Sequence, residues 1–353
     1  MLTRQLKLKL TKKQENQLND WLLSCSSIYN FGIRKIEQNA QDKVYFTKFD
    51  FMSLLAGHSK KLDIPSHTMN GILLQAFLAW QRCFKKVSKK PKLKGIRNKL
   101  RSIPFPDPIK TPENNKVIIP LLGKIRYFKQ DLPIGKIKNG RIIKRASGWY
   151  LQLTIDAKHT FKVKETNEKV GIDTGFKHLA VLSNGTKYEN QRNFVKNQKR
   201  LAQAQRGRNK KLAAKLHEKI TNQRKDYNHK ISKEIVENYQ EIYITNDNLR
   251  NQSKIFGKSV MDAGISQLRE FLIYKGDNHG RKVSLVDSKY TTMTCSSCLA
   301  RSGPTGLSGL DVRNWECSVC GADHDRDINS AMVILDSGLG YSLVNLKWAG
   351  NAY

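Results

Sequence analysis

Apolar and polar residues alternate from Arg4 to Leu10, which predicts a strand. Thr11-Lys12-Lys13-Gln14 then offers a capping box. After it Leu18, Trp21, Leu22, Cys25, Ile28 and Tyr29 recur at helical spacing. The pattern predicts further helices over 46–56 and 67–87, the second burying Met69, Ile72, Leu73, Phe77 and Trp80. These aromatics read as core rather than as base-stacking platforms. Past a proline-rich link, Pro104 to Pro112, short apolar runs at Val117–Ile119, Lys124–Tyr127, Gly140–Lys144 and Trp149–Ile155 alternate with glycine turns. They predict a small antiparallel barrel. If the first strand joins it, the helical segment is an insertion.

The texture changes at Lys169. Val170-Gly171-Ile172-Asp173-Thr174-Gly175 is an apolar strand with one acid, and His178–Leu182 is a second strand ending at a Ser183-Asn184-Gly185 turn. Residues 190–239 predict one or two long helices. Ile242–Ile244 is a strand, 266–277 a helix, Lys282–Asp287 a strand and Asp325–Leu335 a final helix. The stretch from Ser337 to Tyr353 has no clear period. A strand carrying Asp173 and a terminal helix carrying Asp327 suggest an RNase H-like fold. Such a fold gathers carboxylates around two Mg²⁺ ions that clamp a phosphodiester.

Charge narrows the class of partner. Across 353 residues, 63 Lys and Arg face 30 acids, a formal charge of +33, which makes a polyanion such as nucleic acid the expected partner. Nine basic residues and no acid lie in 85–101, including Lys85, Lys86, Lys89, Lys90, Lys92, Lys94 and Arg97. Twelve more, against two acids, lie from Lys196 to Lys230, among them Lys199, Arg200, Arg206, Arg208, Lys210, Lys211, Arg224, Lys225 and Lys230. In so basic a chain these runs read as phosphate contacts, with a merely solvated face as the alternative. No apolar run approaches the roughly 20 residues a membrane span needs, and the N-terminus lacks a signal h-region.

Chemistry concentrates near the end of the chain. Cys295-Ser-Ser-Cys298 and Cys317-Ser-Val-Cys320 are separated by 18 residues and can supply four thiolates to one zinc. Cys25 and Cys83 stand alone in helical patterns, so cysteine usage suits a reducing cytoplasm rather than a disulfide framework.

Together these motifs resemble TnpB (OrfB), the RNA-guided nucleases of bacterial transposons. Gly171–Gly175 looks like the family's first RuvC motif, Tyr290–Cys298 like its zinc-binding segment, and His324–Ala331 like its third RuvC motif. Ile119–Gly123 and Gly148–Tyr150 look like its wedge barrel, and the helix ending at His229–Ser232 also fits. The resemblance implies an α/β protein with a small β-barrel. A wedge barrel would span 1–10 and 89–160, and a helical recognition insert 11–88. A RuvC domain would span 161–290 and 323–336, a zinc knuckle 291–322 and a tail 337–353. It also implies a guide RNA, structural zinc, and double-stranded target DNA with a short flanking motif.

One departure matters most. The resemblance implies a glutamate just after the central strand, where this chain has Thr245, or shortly before the zinc knuckle, where it has Ser288. Neither hydroxyl matches a carboxylate as a Mg²⁺ ligand. Asp247, two residues past Thr245 and so on the same strand face, could substitute; Asp287 should point away. The reading is a nuclease-dead, TldR-like derivative that represses transcription by occupying a promoter. The alternatives are an active endonuclease with a shifted third carboxylate, and a basic zinc protein that binds structured RNA. Mg²⁺ belongs only to the active alternative.

Overall fold

The computed structural model of the chain describes all residues except 96–97, 111, 158–160, 248, 307–308, 310 and 341–353, and no side chains at 250, 252–253 and 255–256. Arg97 and most of the 337–353 tail therefore lie outside the described residues. The chain divides into two units, Met1–Lys158 and His159–Tyr353.

In the first unit, strand β1 (Leu2–Lys9) leads into helix α1 (Lys12–Gln41). The Thr11–Gln14 capping box forms as predicted, satisfying two N–H groups that the first turn leaves open. Short helices α2 (Lys48–Ser53) and α3 (Ser59–Leu62) and the longer α4 (Ser66–Phe84) complete the inserted segment. The expected 46–56 and 67–87 helices are thus shorter, and a separate turn of helix lies between them. Five further strands follow: β2 (Ser102–Phe105), β3 (Lys116–Ile119), β4 (Gly123–Tyr127), β5 (Lys136–Arg145) and β6 (Gly148–Asp156). They pair with β1 in the order β2-β5-β6-β1-β4-β3, every described ladder being antiparallel. Strand β2 runs into the proline-rich link. It tolerates Pro104 because it is an edge strand, with one side of its backbone free of ladder bonds. Leu6, Trp21, Phe51, Ile72, Ile103 and Leu151 belong to one core, so the inserted helices and the sheet are packed as a single body.

The second unit is built on a five-stranded sheet. Its strands are β7 (Lys169–Thr174), β8 (His178–Leu182), β9 (Lys187–Glu189), β10 (Glu241–Thr245) and β11 (Lys282–Val286), in the order β11-β10-β7-β8-β9. Strands β7, β8 and β9 pair antiparallel, whereas β10 is parallel to both β7 and β11. This is the RNase H-like order that the acids suggested. Helices α5 (Asn193–Arg206) and α6 (Lys210–Asn238) fill the 190–239 segment, broken at Gly207 and Arg208, the latter at φ 51°. Together they cross from β9 to β10. Helix α7 (Leu249–Ala263), which the sequence pattern does not predict, joins α8 (Ile265–His279) in the crossover to β11.

Alternation on the parallel strands sorts their side chains. Val170, Ile172, Ile242 and Ile244 pack with Ile231, Ile235, Leu268 and Leu272 of α6 and α8. Gly171 and Tyr243 face the terminal helix α9 (Arg326–Gly338) instead. A Cβ on Gly171 would stand 2.1 Å from the Ala331 carbonyl oxygen and 2.6 Å from the Leu335 nitrogen, so only glycine lets α9 lie this close to β7. That contact sets the height of the first turn of α9 over the sheet, where Asp327 sits.

Candidate acid site and zinc knuckle

Asp173 follows Ile172 at the end of β7. Ile244 pairs with Ile172, so Thr245 stands level with Asp173 on the neighbouring strand. Thr245 is buried, 1% exposed, and its hydroxyl lies 3.0 Å from the Thr174 hydroxyl. Thr174 Oγ1 also donates to Asp247 Oδ2 at 3.3 Å. Asp247 lies two residues past the end of β10, and its carboxylate reaches the same hydroxyl as Thr245. Ser288 lies in the loop after β11, where its carbonyl accepts from Thr291 N (3.3 Å) and Thr291 Oγ1 (2.9 Å). Among the described contacts none ties the Ser288 side chain to the acids.

The carboxyl of Asp173 is enclosed, although the residue keeps part of its surface open. Burial first, then the carboxylates of Asp327 and Asp247, push it up to about 8. Three acids thus bear on one another. Asp327 is also held from the basic side, by Arg313 Nη1 at 3.4 Å from Oδ1 and Arg326 Nε at 3.6 Å. The ligand atoms of the four cysteines all lie within 4.8 Å of one another.

A stability prediction follows from the raised acid. Asp173 favours the folded state below the unfolded carboxyl's range, near pH 4, and this contribution is lost as pH rises towards about 8. Asp173→Asn removes the penalty. In divalent-free buffer the variant should gain about 1–3 kcal/mol over the parent at pH 8, discounted for partial exposure, and nothing near pH 4. Denaturant melts at the two pH values check this. An equal difference at both would show that the carboxyl is not strained.

Helix α9 starts where the sequence placed it, because Asp325 caps it. Asp325 Oδ1 accepts from Asp327 N (3.0 Å) and Ile328 N (3.1 Å), while Oδ2 meets Lys187 Nζ at 2.6 Å. Two residues beyond Asp327, buried Asn329 donates to Thr294 O (2.8 Å) and accepts from Ser296 N (2.8 Å). Arg326 Nη1 donates to the carbonyls of Gly309 (2.7 Å) and Val312 (3.3 Å). Arg326 and Asn329 thus bind the helix to the cysteine-bearing segment, while Asp325 caps the helix and ties it to Lys187 of β9, roles that the sequence alone assigns to none of them. The aspartate just ahead of an apolar helix was the available signal for the cap.

The cysteine sulfurs fit zinc. Cys295 and Cys320 stand 3.7 Å apart, and Cys298 and Cys317 3.6 Å. Four Zn–S bonds of about 2.3 Å in a tetrahedron require roughly 3.8 Å. Each CxxC closes a tight turn: Leu299 N bonds Cys295 O at 2.9 Å, and Gly321 N bonds Cys317 O at 2.8 Å. Strands β12 (Asn314–Glu316) and β13 (Asp323–Asp325) form a hairpin leading from the second turn into α9. His324 Nε2 lies 3.0 Å from Cys295 Sγ and Ser302 Oγ 3.1 Å from Cys317 Sγ, so the thiolates have donors around them.

The basic candidates divide. Lys85, Lys86, Lys89 and Lys92 are exposed, as are Lys199, Arg200, Arg206, Arg208, Lys210, Lys211 and Lys225. Lys90 is paired with Glu37 at 2.9 Å and Lys230 with Asp226 at 2.7 Å. The Lys94 backbone is clamped by Asn30, through bonds of 2.6 and 2.8 Å, with its ammonium over Tyr29. Arg224 donates to the Met261 carbonyl. Part of each basic run therefore also anchors the fold.

Comparison with known proteins agrees with this geometry. Residues 152–255 match the OrfB_IS605 family, described as "Probable transposase", and residues 266–334 match the Cas12f1-like TNB domain. A "Putative RNA-guided DNA endonuclease" of Streptomyces pristinaespiralis is 31% identical over 332 residues, covering 88% of this chain and 80% of the relative. The chain belongs to the TnpB (OrfB) family. A second TnpB-type relative, the "Putative RNA-guided DNA endonuclease InsQ" of Escherichia coli K12, is 26% identical and covers 92% of this chain and 89% of its own. The fold is similar to that of Cas12f1 in its complex with sgRNA and target DNA. The TM-score is 0.58 at 14% identity, over 92% of this chain and 83% of that one. Among the described residues no helix is long and apolar enough to cross a membrane.

Proposed function

We propose that this TnpB-family chain binds double-stranded DNA under the direction of a guide RNA, has lost its RuvC nuclease activity, and represses transcription by occupying a promoter. The observation that carries the loss is buried Thr245, hydrogen-bonded to Thr174, at the position where the family resemblance calls for a carboxylate. Guide-directed binding is supported by the names of the relatives, RNA-guided endonucleases of Escherichia coli and Streptomyces. A CRISPR-associated Cas12f1 of Sulfoacidibacillus thermotolerans, 25% identical over 218 residues, supports it further. The charge of +33 supplies the electrostatic attraction. Pairing with the guide would read most of the target, and the first unit a short flanking motif.

The test is direct. RNA that copurifies with the protein is sequenced, and matched duplex is titrated against duplex with a scrambled target or an altered flank. Tight binding to the matched, correctly flanked duplex is the expected result; equal binding to all three duplexes overturns the reading. Neutralising the exposed residues Lys199, Arg200, Arg206, Arg208, Lys210 and Lys211 together should weaken binding regardless of sequence. It should also flatten the salt dependence by about one unit per lost phosphate contact. An unchanged slope would assign these residues to solvent.

One observation favours a second reading. The Thr174 hydroxyl donates to Asp247 as well as facing Thr245, so Asp247 could act as a displaced third ligand in an active, Mg²⁺-dependent endonuclease.

A further inference from the structure

A cavity of about 430 Å³ opens beside the β7–β8 turn. Phe176 and Lys177 line it from that turn, Asn190, Arg192, Phe194, Val195 and Gln198 from the start of α5, and Lys258, Ser259 and Asp262 from α7. None of the three cations was singled out by the basic runs of the sequence, since they come from separate segments. All three are exposed, and among the described residues none is paired with an acid. Asp262 is buried and spent inside the protein, its Oδ1 accepting from Phe194 N at 2.9 Å, so it caps α5. Three cations against one acid leave the cavity positive.

The backbone here is held away from its easiest conformation. Arg192 sits at φ 47° and ψ 44°, the left-handed region that glycine occupies freely and arginine does not. Asn190 holds it there: its Oδ1 accepts from Arg192 N at 3.0 Å and its Nδ2 donates to Phe176 O at 2.9 Å. The arginine side chain is thus kept at the cavity's rim although a glycine would suit the turn better.

We propose that this cavity is a subsite for one nucleotide of a single-stranded nucleic acid. The phosphate contacts Lys177, Arg192 and Lys258, and the base lies against the partly exposed rings of Phe176 and Phe194. The volume takes a base with its sugar, aromatic faces stack on any base, and Gln198 and Ser259 offer hydrogen bonds to its edge. Phe176 and Lys177 follow Asp173 by three and four residues, so the subsite adjoins the strand end that carries the acid site. The nature of the polymer rests on the proposed function. The two sources of such a strand are the guide RNA and DNA displaced from the target.

The test uses the full chain carrying its guide RNA. Three proteins are compared: the parent, Arg192→Gly, and Lys177→Ala combined with Lys258→Ala. Short labelled DNA and RNA oligonucleotides are titrated at several salt concentrations, and 5-iodouracil oligonucleotides are photocrosslinked and the peptides mapped. Arg192→Gly should leave Tm unchanged or raise it by up to about 3 °C while weakening oligonucleotide binding about 3–10-fold. The double variant should weaken it about 5–20-fold and flatten the salt slope by about 0.7 units, the share of one phosphate on a single strand. Crosslinks should map to peptides holding Phe176 or Phe194. A loss confined to DNA assigns the subsite to the displaced strand; a loss confined to RNA assigns it to the guide. Unchanged affinity and slope for both polymers, or crosslinks only elsewhere, overturn the inference. Guided binding to matched duplex is measured on the parent in parallel. If that is absent while the oligonucleotide effects appear, the proposed function fails and the subsite stands.

Discussion

With guide RNA, matched duplex and Mg²⁺, the parent protein should hold its target and leave both strands intact, and Thr245→Glu should introduce Mg²⁺-dependent cutting. Two-ion hydrolysis needs carboxylates that bridge and flank both cations. Here Asp173 and Asp327 remain, and the strand position between them carries a hydroxyl already bonded to Thr174. Binding is expected to survive because base pairing and phosphate contacts, not the acids, provide the affinity. The engineered glutamate enters a site that is 1% exposed, beside two other acids. Without divalent ions it should therefore cost about 1–3 kcal/mol, and Mg²⁺ should restore that stability as well as cleavage. Gel analysis of both strands and melts with and without Mg²⁺ read the two effects. Robust cutting by the parent that Asp173→Ala abolishes would sink the degenerate reading. If Asp247→Ala abolished it too, Asp247 would be the displaced ligand.

The second large effect concerns the cysteines. Stripping zinc, or Cys317→Ser, should unfold the 291–322 segment, since binding energy of about 10–16 kcal/mol is typical where a small zinc fold has little core of its own. The damage should not stop there. Asn329 and Arg326 bond α9 to Thr294, Ser296, Gly309 and Val312, so the first turn of α9 should lose amide protection together with the knuckle. Hydrogen exchange on zinc-loaded and stripped protein checks this. Metal analysis should give one zinc per chain. A protein without zinc, or an α9 that stays protected after stripping, would contradict the account.

How far the sequence could be read follows from where each signal lies along the chain. The strand-and-acid pattern at Gly171–Gly175 and the CxxC pairs are local, and both their elements and their neighbours appear as expected. Strand β2 was hidden because Pro104 and Pro106 read as linker, and only the sheet order shows that the proline occupies an edge. Asp247 lies past the end of β10, where strand parity no longer fixes which way a side chain faces. The Arg313 and Arg326 guanidiniums on Asp327 were not legible in the sequence, since their approach depends on how the β12–β13 hairpin and α9 pack. Lys177, Arg192 and Lys258 belong to three separate segments and make no run, so charge counting could not find them.

The pairing of Asp327 bears on how a nuclease of this build would decay. Replacing Asp327 by a neutral residue removes the carboxylate that Arg313 and Arg326 share, although Arg326 keeps its bonds to the Gly309 and Val312 carbonyls, and costs about 1 kcal/mol of folding. Replacing the strand acid by threonine strands nothing, because Thr174 stands ready as a partner. A lineage released from selection for cutting is therefore filtered by folding alone. That filter lets the strand acid go first and retains Asp327 long after its chemistry has ceased to matter. An intact third motif in such a sequence is then a record of packing, and the central strand is the position that reports on activity.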